Sequence, residues 1–270
     1  MKYLSIILLT TISLTATAQH SLKRLWETDT TLKVPESVLI TKDLLYVSLV
    51  DGQALDKDGK GGIAKVGLDG NILDPNWVTG LDGPKGMGLW KEKLYVANIT
   101  EVDVINIASG KLESKIPVPG SAGLNDLVID RQGIVYVSDT ETGNVYKLIN
   151  DKPSVYLAHL SGPNGLQAVG NDLFVITNTD VFKIGPGRKL IAIGKSQKGA
   201  DGLAYIDNGE FILTVYSGLI QYLNRSGQEQ ILLDTRAQKL SSADVGYNTA
   251  KHILYVPTLF HQSIIAYQLN

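Results

Sequence analysis

Six polar residues recur at matched places along this chain: Glu36, Lys85, Asn125, Asn164, Asp201 and Asp244. Each stands at the head of a short apolar stretch, in PESVLI, PKGMGL, LNDLVI, PNGLQA, ADGLAY and ADVGYN. Three carboxylates, two amides and one ammonium make a set rich in oxygen donors. Brought to one axis, such donors suit a hard divalent cation: Ca²⁺ first, with Mg²⁺, Mn²⁺ or Zn²⁺ as alternatives. Without a cation, clustered carboxylates repel and shift one another's pKa values. In any one segment the Asn or Asp has a plainer role, because PNG and ADG are turn sequences whose side chains bond the local backbone. Occupancy of the same place in several segments favours a shared site. Lys85 is open to two roles: holding a substrate oxyanion, or taking the place of a cation beside Glu36.

Those residues need a scaffold that repeats. The intervals between them are 49, 40, 39, 37 and 43 residues, about 42 on average, a period that belongs to propeller blades of four strands. In the third unit, LNDLVID and GIVYVSD read as two strands joined by a tight turn at Arg131-Gln132-Gly133, and NVYKLI and SVYLAHL as two more. Their β-branched and aromatic residues suit strands. No stretch after Leu14 sustains a helical period. A β-sandwich does not explain the fixed repeat. The expected fold is all-β, a six-bladed β-propeller. The sixth unit supplies three strands (ADVGYN, HILYVP and SIIAYQL), so its fourth is expected from Leu22 to Glu27, LKRLWE. Pairing the two ends removes an open sheet edge. Asp51 to Gly62 reads as an inserted loop between the second and third strands of blade one. First strands line a propeller's channel, which places the six matched residues on one face around the axis.

Composition narrows the function classes. The 44% hydrophobic fraction supports a full core. A formal net charge of −2 gives no basic footprint for nucleic acid. The chain has no Cys, which removes disulfides, thiolate zinc and iron–sulfur sites. Residues 1–18 read as a signal peptide: a basic start at Lys2, an apolar run from Leu4 to Leu14, and Ala16-Thr17-Ala18 before the cut. The run is short of the ~20 residues that span a bilayer. Residues 19–270 then form a single propeller domain, expected to be monomeric, periplasmic or secreted, and bound neither to membrane nor to nucleic acid. Its expected partner is a small molecule in the channel.

The motifs GLNDLVID, GPNGL and GADGLAY resemble those of the senescence-marker-protein/gluconolactonase family, which includes luciferin-regenerating enzyme. The resemblance spans essentially residues 19–270 and implies a six-bladed propeller. It implies a divalent cation held by Glu36, Asn164 and Asp201, with Asn125 serving the metal or the substrate. It implies hydrolysis of sugar lactones or other cyclic esters. Where the family carries Arg-Pro-Asn-Asp, this chain reads Gly-Leu-Asn-Asp, and the stretch around Glu36 is PESV. Lys85 has no counterpart role in the family.

Other residues have weaker grounds. His261 falls after the second strand of blade six, on the expected ligand face, where it either assists proton transfer and substrate binding or is a solvated loop residue. His159 and His252 have no matching partner. Asn98, Asp139, Asn178 and Tyr216 end second strands, where they either line the rim or start the following loop. The DKDG string at Asp56 is no EF-hand, because Lys60 and Gly67 occupy ligand positions. There is no G-x-S-x-G, H-E-x-x-H or P-loop. Asn98 and Asn224 head glycosylation sequons, which matter only in a eukaryotic secretory pathway.

Two functions follow from this set. In the first, a metal-dependent hydrolase opens a lactone or related cyclic ester, with Asp201 as general base and Asn125 and Lys85 on the substrate. In the second, the propeller binds a small ligand or a protein partner in the same channel without turnover. A third and lesser reading, a lyase opening a cyclic ester by elimination, needs a positioned base such as His261.

Overall fold

The computed structural model describes residues 20–270. The signal peptide expected over residues 1–18 lies outside them. Six antiparallel sheets of four strands succeed one another around an axis. Five sheets use four consecutive strands each. The sixth takes its outermost strand, Leu22–Glu27, from the start of the described chain and pairs it with Ile264–Leu269 at the end. The register runs from Leu22 opposite Leu269 to Glu27 opposite Ile265. The first strands are Pro35–Ile40, Pro84–Trp90, Leu124–Ile129, Leu166–Val169, Ala200–Tyr205 and Gly246–Asn248. Each touches the first strand of the next blade, and the sixth touches the first. No helix among the described residues is long and apolar enough to cross a membrane.

Strand chemistry explains why the blades stack. A strand sends successive side chains to opposite faces, and here both faces meet another blade. In Leu44–Leu49, Leu45 and Val47 pack toward blade six, with Tyr255, Ile264 and Ala266. Tyr46, between them, packs toward blade two, with Leu94, Val96 and Ile105. The same division holds around the ring, so that six apolar clusters fill the six seams between blades. Doubly covered sheets need nearly continuous apolar strands, and VYVSD, DLFVI and FILTV supply them.

The long first interval has two causes, not one. The insertion occupies positions 50–60, between Leu44–Leu49 and Gly61–Gly67. Blade one also carries an outer strand of 10 residues, Ile72–Leu81, with register shifts along it. Gly61 and Gly62, expected in the loop, belong to the third strand. A Cβ on Gly61 would lie 2.4 Å from Pro84 Cδ, and one on Gly62 would lie 2.4 Å from the Val78 carbonyl oxygen. The glycines answer close packing rather than a turn.

Candidate functional site

The matched polar residues sit where the first strands begin. In blades one, two, three and five the pairing with the second strand slips there. The slips fall between Pro35 and Val38, Pro84 and Met87, Leu124 and Leu127, and Ala200 and Leu203. Such bulges bend a strand and re-aim its side chains. Glu36, Lys85, Asn125 and Asp201 each stand inside one. Buried hydroxyls prop the bulged backbone: Ser48 Oγ accepts from the Ser37 N–H at 3.0 Å, Ser138 Oγ from the Asp126 N–H at 3.0 Å, and Thr214 Oγ1 from the Gly202 N–H at 2.8 Å. Glycines let adjacent blades close. A Cβ on Gly86 would lie 2.3 Å from the Leu127 nitrogen, and one on Gly202 would lie 2.5 Å from the Val245 nitrogen.

Glu36, Lys85, Asn125, Asn164 and Asp201 line one cavity of about 360 Å³. Asp244, the sixth matched residue, lines a second stretch of the channel, beside Asp126 and the aliphatic residues further along the first strands. In the cavity, Asn164 Nδ2 donates to Asp201 Oδ1 at 2.8 Å. Asn125 Nδ2 donates to Thr140 Oγ1 at 3.1 Å, and Thr140 donates onward to the Pro163 carbonyl at 2.9 Å. Ser37 Oγ donates to Glu36 Oε2 at 2.7 Å. Lys85 Nζ donates to the carbonyls of Ala54, at 3.0 Å, and Gly83, at 3.4 Å. Ala54 belongs to the inserted loop, so Lys85 ties that loop to the cavity wall.

Burial makes the charges expensive. Glu36, Lys85 and Asp201 are almost fully buried. Burial first, and then the nearby Asp201 carboxylate, push the Glu36 carboxyl up to about 8, against the pull of Lys85. Burial pushes Asp201 up to about 7, although the Asn164 amide lowers it. Asp126 is raised by burial to about 6, with the backbone N–H groups of Leu166 and Leu127 holding it down. Asp244 is raised well above the usual carboxylate range by burial and by the other three carboxylates. Lys85 is lowered by burial, against the pull of Glu36 and Asp201. The one ammonium thus sits with Glu36 and Asp201, while Asp126 and Asp244 lie further along the channel.

In type, this donor set fits a divalent cation. Among the described residues, no protein donor reaches Glu36 Oε1, Asp201 Oδ2, Asn125 Oδ1 or Asn164 Oδ1. Also among them, no three His, Asp or Glu side chains gather in a ligating group, so the amide oxygens would have to complete the set.

The remaining expectations divide. Asn178 and Tyr216 line the cavity. Asn98 and Asp139 instead start loops: Asn98 accepts from the Gly83 N–H at 2.8 Å, and Asp139 accepts from the N–H groups of Ala122, Gly123 and Thr142. His261 does not line the cavity. Its Nε2 lies 3.0 Å from Glu27 Oε1, half exposed, while its neighbours Leu259 and Phe260 face the cavity. Asp126, Thr140 and the three propping hydroxyls escaped the sequence reading. The hydroxyls do leave a signal, a constant spacing of 11 or 12 residues from the N–H that each receives.

No family model matches the chain, and no curated protein matches it in sequence. Solved structures do match. A putative gluconolactonase aligns with a TM-score of 0.69 at 15% identity, over 94% of this chain and 93% of its own. A streptogramin B lyase aligns with a TM-score of 0.66 at 11% identity, over 93% and 98%. A protein of unknown function from Bacteroides thetaiotaomicron aligns with a TM-score of 0.68 at 13% identity, over 93% and 76%. At these identities the likeness is one of fold.

Proposed function

We propose that the protein hydrolyses a lactone or related cyclic ester with the help of a divalent cation held by Glu36, Asn164 and Asp201. One observation carries the reading: two buried carboxylates, each with a free oxygen, share a small cavity with two amides whose oxygens are also free. A bound cation would polarise the ester carbonyl and lower the pKa of a bound water. Asn164 steadies the Asp201 carboxylate through Oδ1, and this carboxylate, within reach of the water, would take its proton as general base. Asn125, steadied by Thr140, orients the ester. Lys85, whose ammonium the neighbouring carboxylates favour against the opposing effect of burial, stabilises the oxyanion that forms. The gluconolactonase-family motifs and the gluconolactonase name of one structural neighbour support this class of substrate.

Lys85 also favours a second reading, a channel that binds without turnover. Its ammonium supplies positive charge to Glu36 and Asp201 from within the protein. An elimination like that implied by the lyase name of another neighbour lacks its expected base, since His261 is paired with Glu27 outside the cavity. The test is a panel of sugar and simple lactones assayed after chelation and after return of Ca²⁺, Mg²⁺, Mn²⁺ or Zn²⁺. Hydrolysis lost on chelation and restored by one cation is the expected result. Absence of hydrolysis with every cation selects the binding reading.

A further inference from the structure

The cavity has two unlike walls. Blades two to five contribute Lys85, Asn125, Thr140, Asn164, Asn178 and Asp201, and the donors of Lys85, Asn125, Thr140 and Asn164 already have protein partners. Blade six contributes Leu259 and Phe260, and blade one contributes Val34 and Val50 beside Glu36 and Gln53. Two of these apolar residues have unusual backbones: Val34 has a φ of 49° and Leu259 a φ of 50°. A β-branched or bulky residue rarely enters that left-handed region, and such strain gathers at ligand sites.

A second observation is independent of the first. Among the described residues, two aromatic side chains stand exposed, Phe260 at 66% and Tyr216 at 48%. Both line this cavity. The other Phe, Tyr and Trp side chains of the described chain are at least partly covered, most of them in the seams between blades. Aromatic surface left uncovered at one cavity marks where an apolar ligand group belongs. A polyhydroxylated ring needs donors and acceptors on every side, and the patch of Val34, Val50, Leu259 and Phe260 offers it side chains without any.

We propose that the ligand of this cavity is an amphipathic cyclic ester whose hydrocarbon substituent lies against Val34, Val50, Leu259, Phe260 and Tyr216, rather than a polyhydroxylated sugar lactone. The ester half of this statement rests on the hydrolase reading above. The apolar half does not. The ring carbonyl faces the Asn–Asp–Lys wall, and the substituent points toward Phe260 and Tyr216 at the rim.

The experiment separates the two. A series of 2-alkylcyclopentanones keeps a ring and carbonyl but cannot be hydrolysed. Titration calorimetry of the protein with this series reads binding alone. Affinity should rise about fourfold per added methylene until the apolar wall is covered, with a negative heat-capacity change. A polyhydroxylated cyclic ketone should bind more weakly than the shortest member. Phe260→Ala combined with Tyr216→Ala should flatten the slope against chain length, and the exposure of both residues in the wild type lets the variant fold. Affinity independent of chain length, or an unchanged slope in the double variant, overturns the proposal. Alkyl-dependent binding without turnover of the matching lactones keeps it and removes the hydrolase reading instead.

Discussion

Asn164 reaches across the seam between blades four and five and donates to the Asp201 carboxylate at 2.8 Å. The bond joins the heads of two first strands that are 37 residues apart in sequence. At the carboxylate, Oδ1 is held, and among the described residues Oδ2 has no protein donor. A second link between the same blades, from the Gly165 N–H to the Asp201 carbonyl at 2.8 Å, fixes the backbone beneath. The side chains at the site are thus positioned by contacts between blades as well as by their own strands.

The pH dependence of stability follows from the buried carboxylates. Glu36, Asp126, Asp201 and Asp244 all have raised pKa values in the folded chain. Between about pH 4 and pH 8 the folded chain therefore holds protons that the unfolded chain has released. Without a cation, stability is highest at the acid end of that window and falls as pH rises through it. A cation that binds the ionised carboxylates opposes the fall, and at a hundredfold excess over Kd it adds about 2.7 kcal/mol. Thermal melts from pH 5 to pH 8 should show Tm declining under chelation, with Ca²⁺ raising Tm more at the alkaline end. Glu36→Gln should flatten the decline. A chelated Tm that climbs across this range contradicts the charge assignment.

Closure of the ring depends on the strand Leu22–Glu27. It covers the edge of Ile264–Leu269, and Trp26 packs its ring 5.7 Å from that of Tyr255. Removal of residues up to Glu27 exposes an unpaired edge, which invites association. The expected result is a fall in Tm of at least about 10 °C, at roughly 2–4 °C per kcal/mol for a domain of this size, together with concentration-dependent aggregation in light scattering. A truncated chain that melts like the parent, as a monomer, would remove the closing role.

Gly86 tests the packing of the first strands independently of any ligand. A Cβ there would meet the Leu127 nitrogen at 2.3 Å and the Asp126 Cα at 2.6 Å, both backbone atoms. Gly86→Ala should cost about 1–3 kcal/mol, the range of overpacked sites, read from the denaturant midpoint. Gly170→Ala is a poor control despite its open surroundings, because Gly170 has a φ of 62°. Ala250→Gly, on an exposed turn, serves better. Equal midpoints for Gly86→Ala and the parent would contradict the close approach of blades two and three.

Much of this was legible in the sequence because the blade repeats. The interval near 42 residues located six units, and the short sixth unit pointed to LKRLWE as its missing strand. Five of the six matched residues reached one cavity. Depth along the channel was not legible. One alignment column cannot tell Asn125, in the ligand cavity, from its neighbour Asp126, which lies further along, because the bulge lets two successive side chains serve the axis. Asp244 shares the column and the deeper stretch. His261 followed the expected loop, but a one-turn 3₁₀ helix over Leu259–His261 directs it to Glu27 and directs Phe260 to the cavity. That exchange depends on a residue some 230 positions away, which no local pattern encodes.

The most direct measurement compares lactone hydrolysis by the parent, Asp201→Asn and Asn125→Ala at saturating cation. Asp201→Asn keeps a ligand oxygen but removes a charge and the general base, a loss of about 10²–10⁴-fold. Asn125→Ala loosens the substrate and leaves the base in place, so its loss should be much smaller and fall mainly on KM. Both variants should melt as cooperatively as the parent, since neither side chain packs in an apolar seam between blades. A large loss in kcat for Asp201→Asn and a small one for Asn125→Ala is the predicted result. Small, equal losses in both would contradict the assignment of Asp201 as the base.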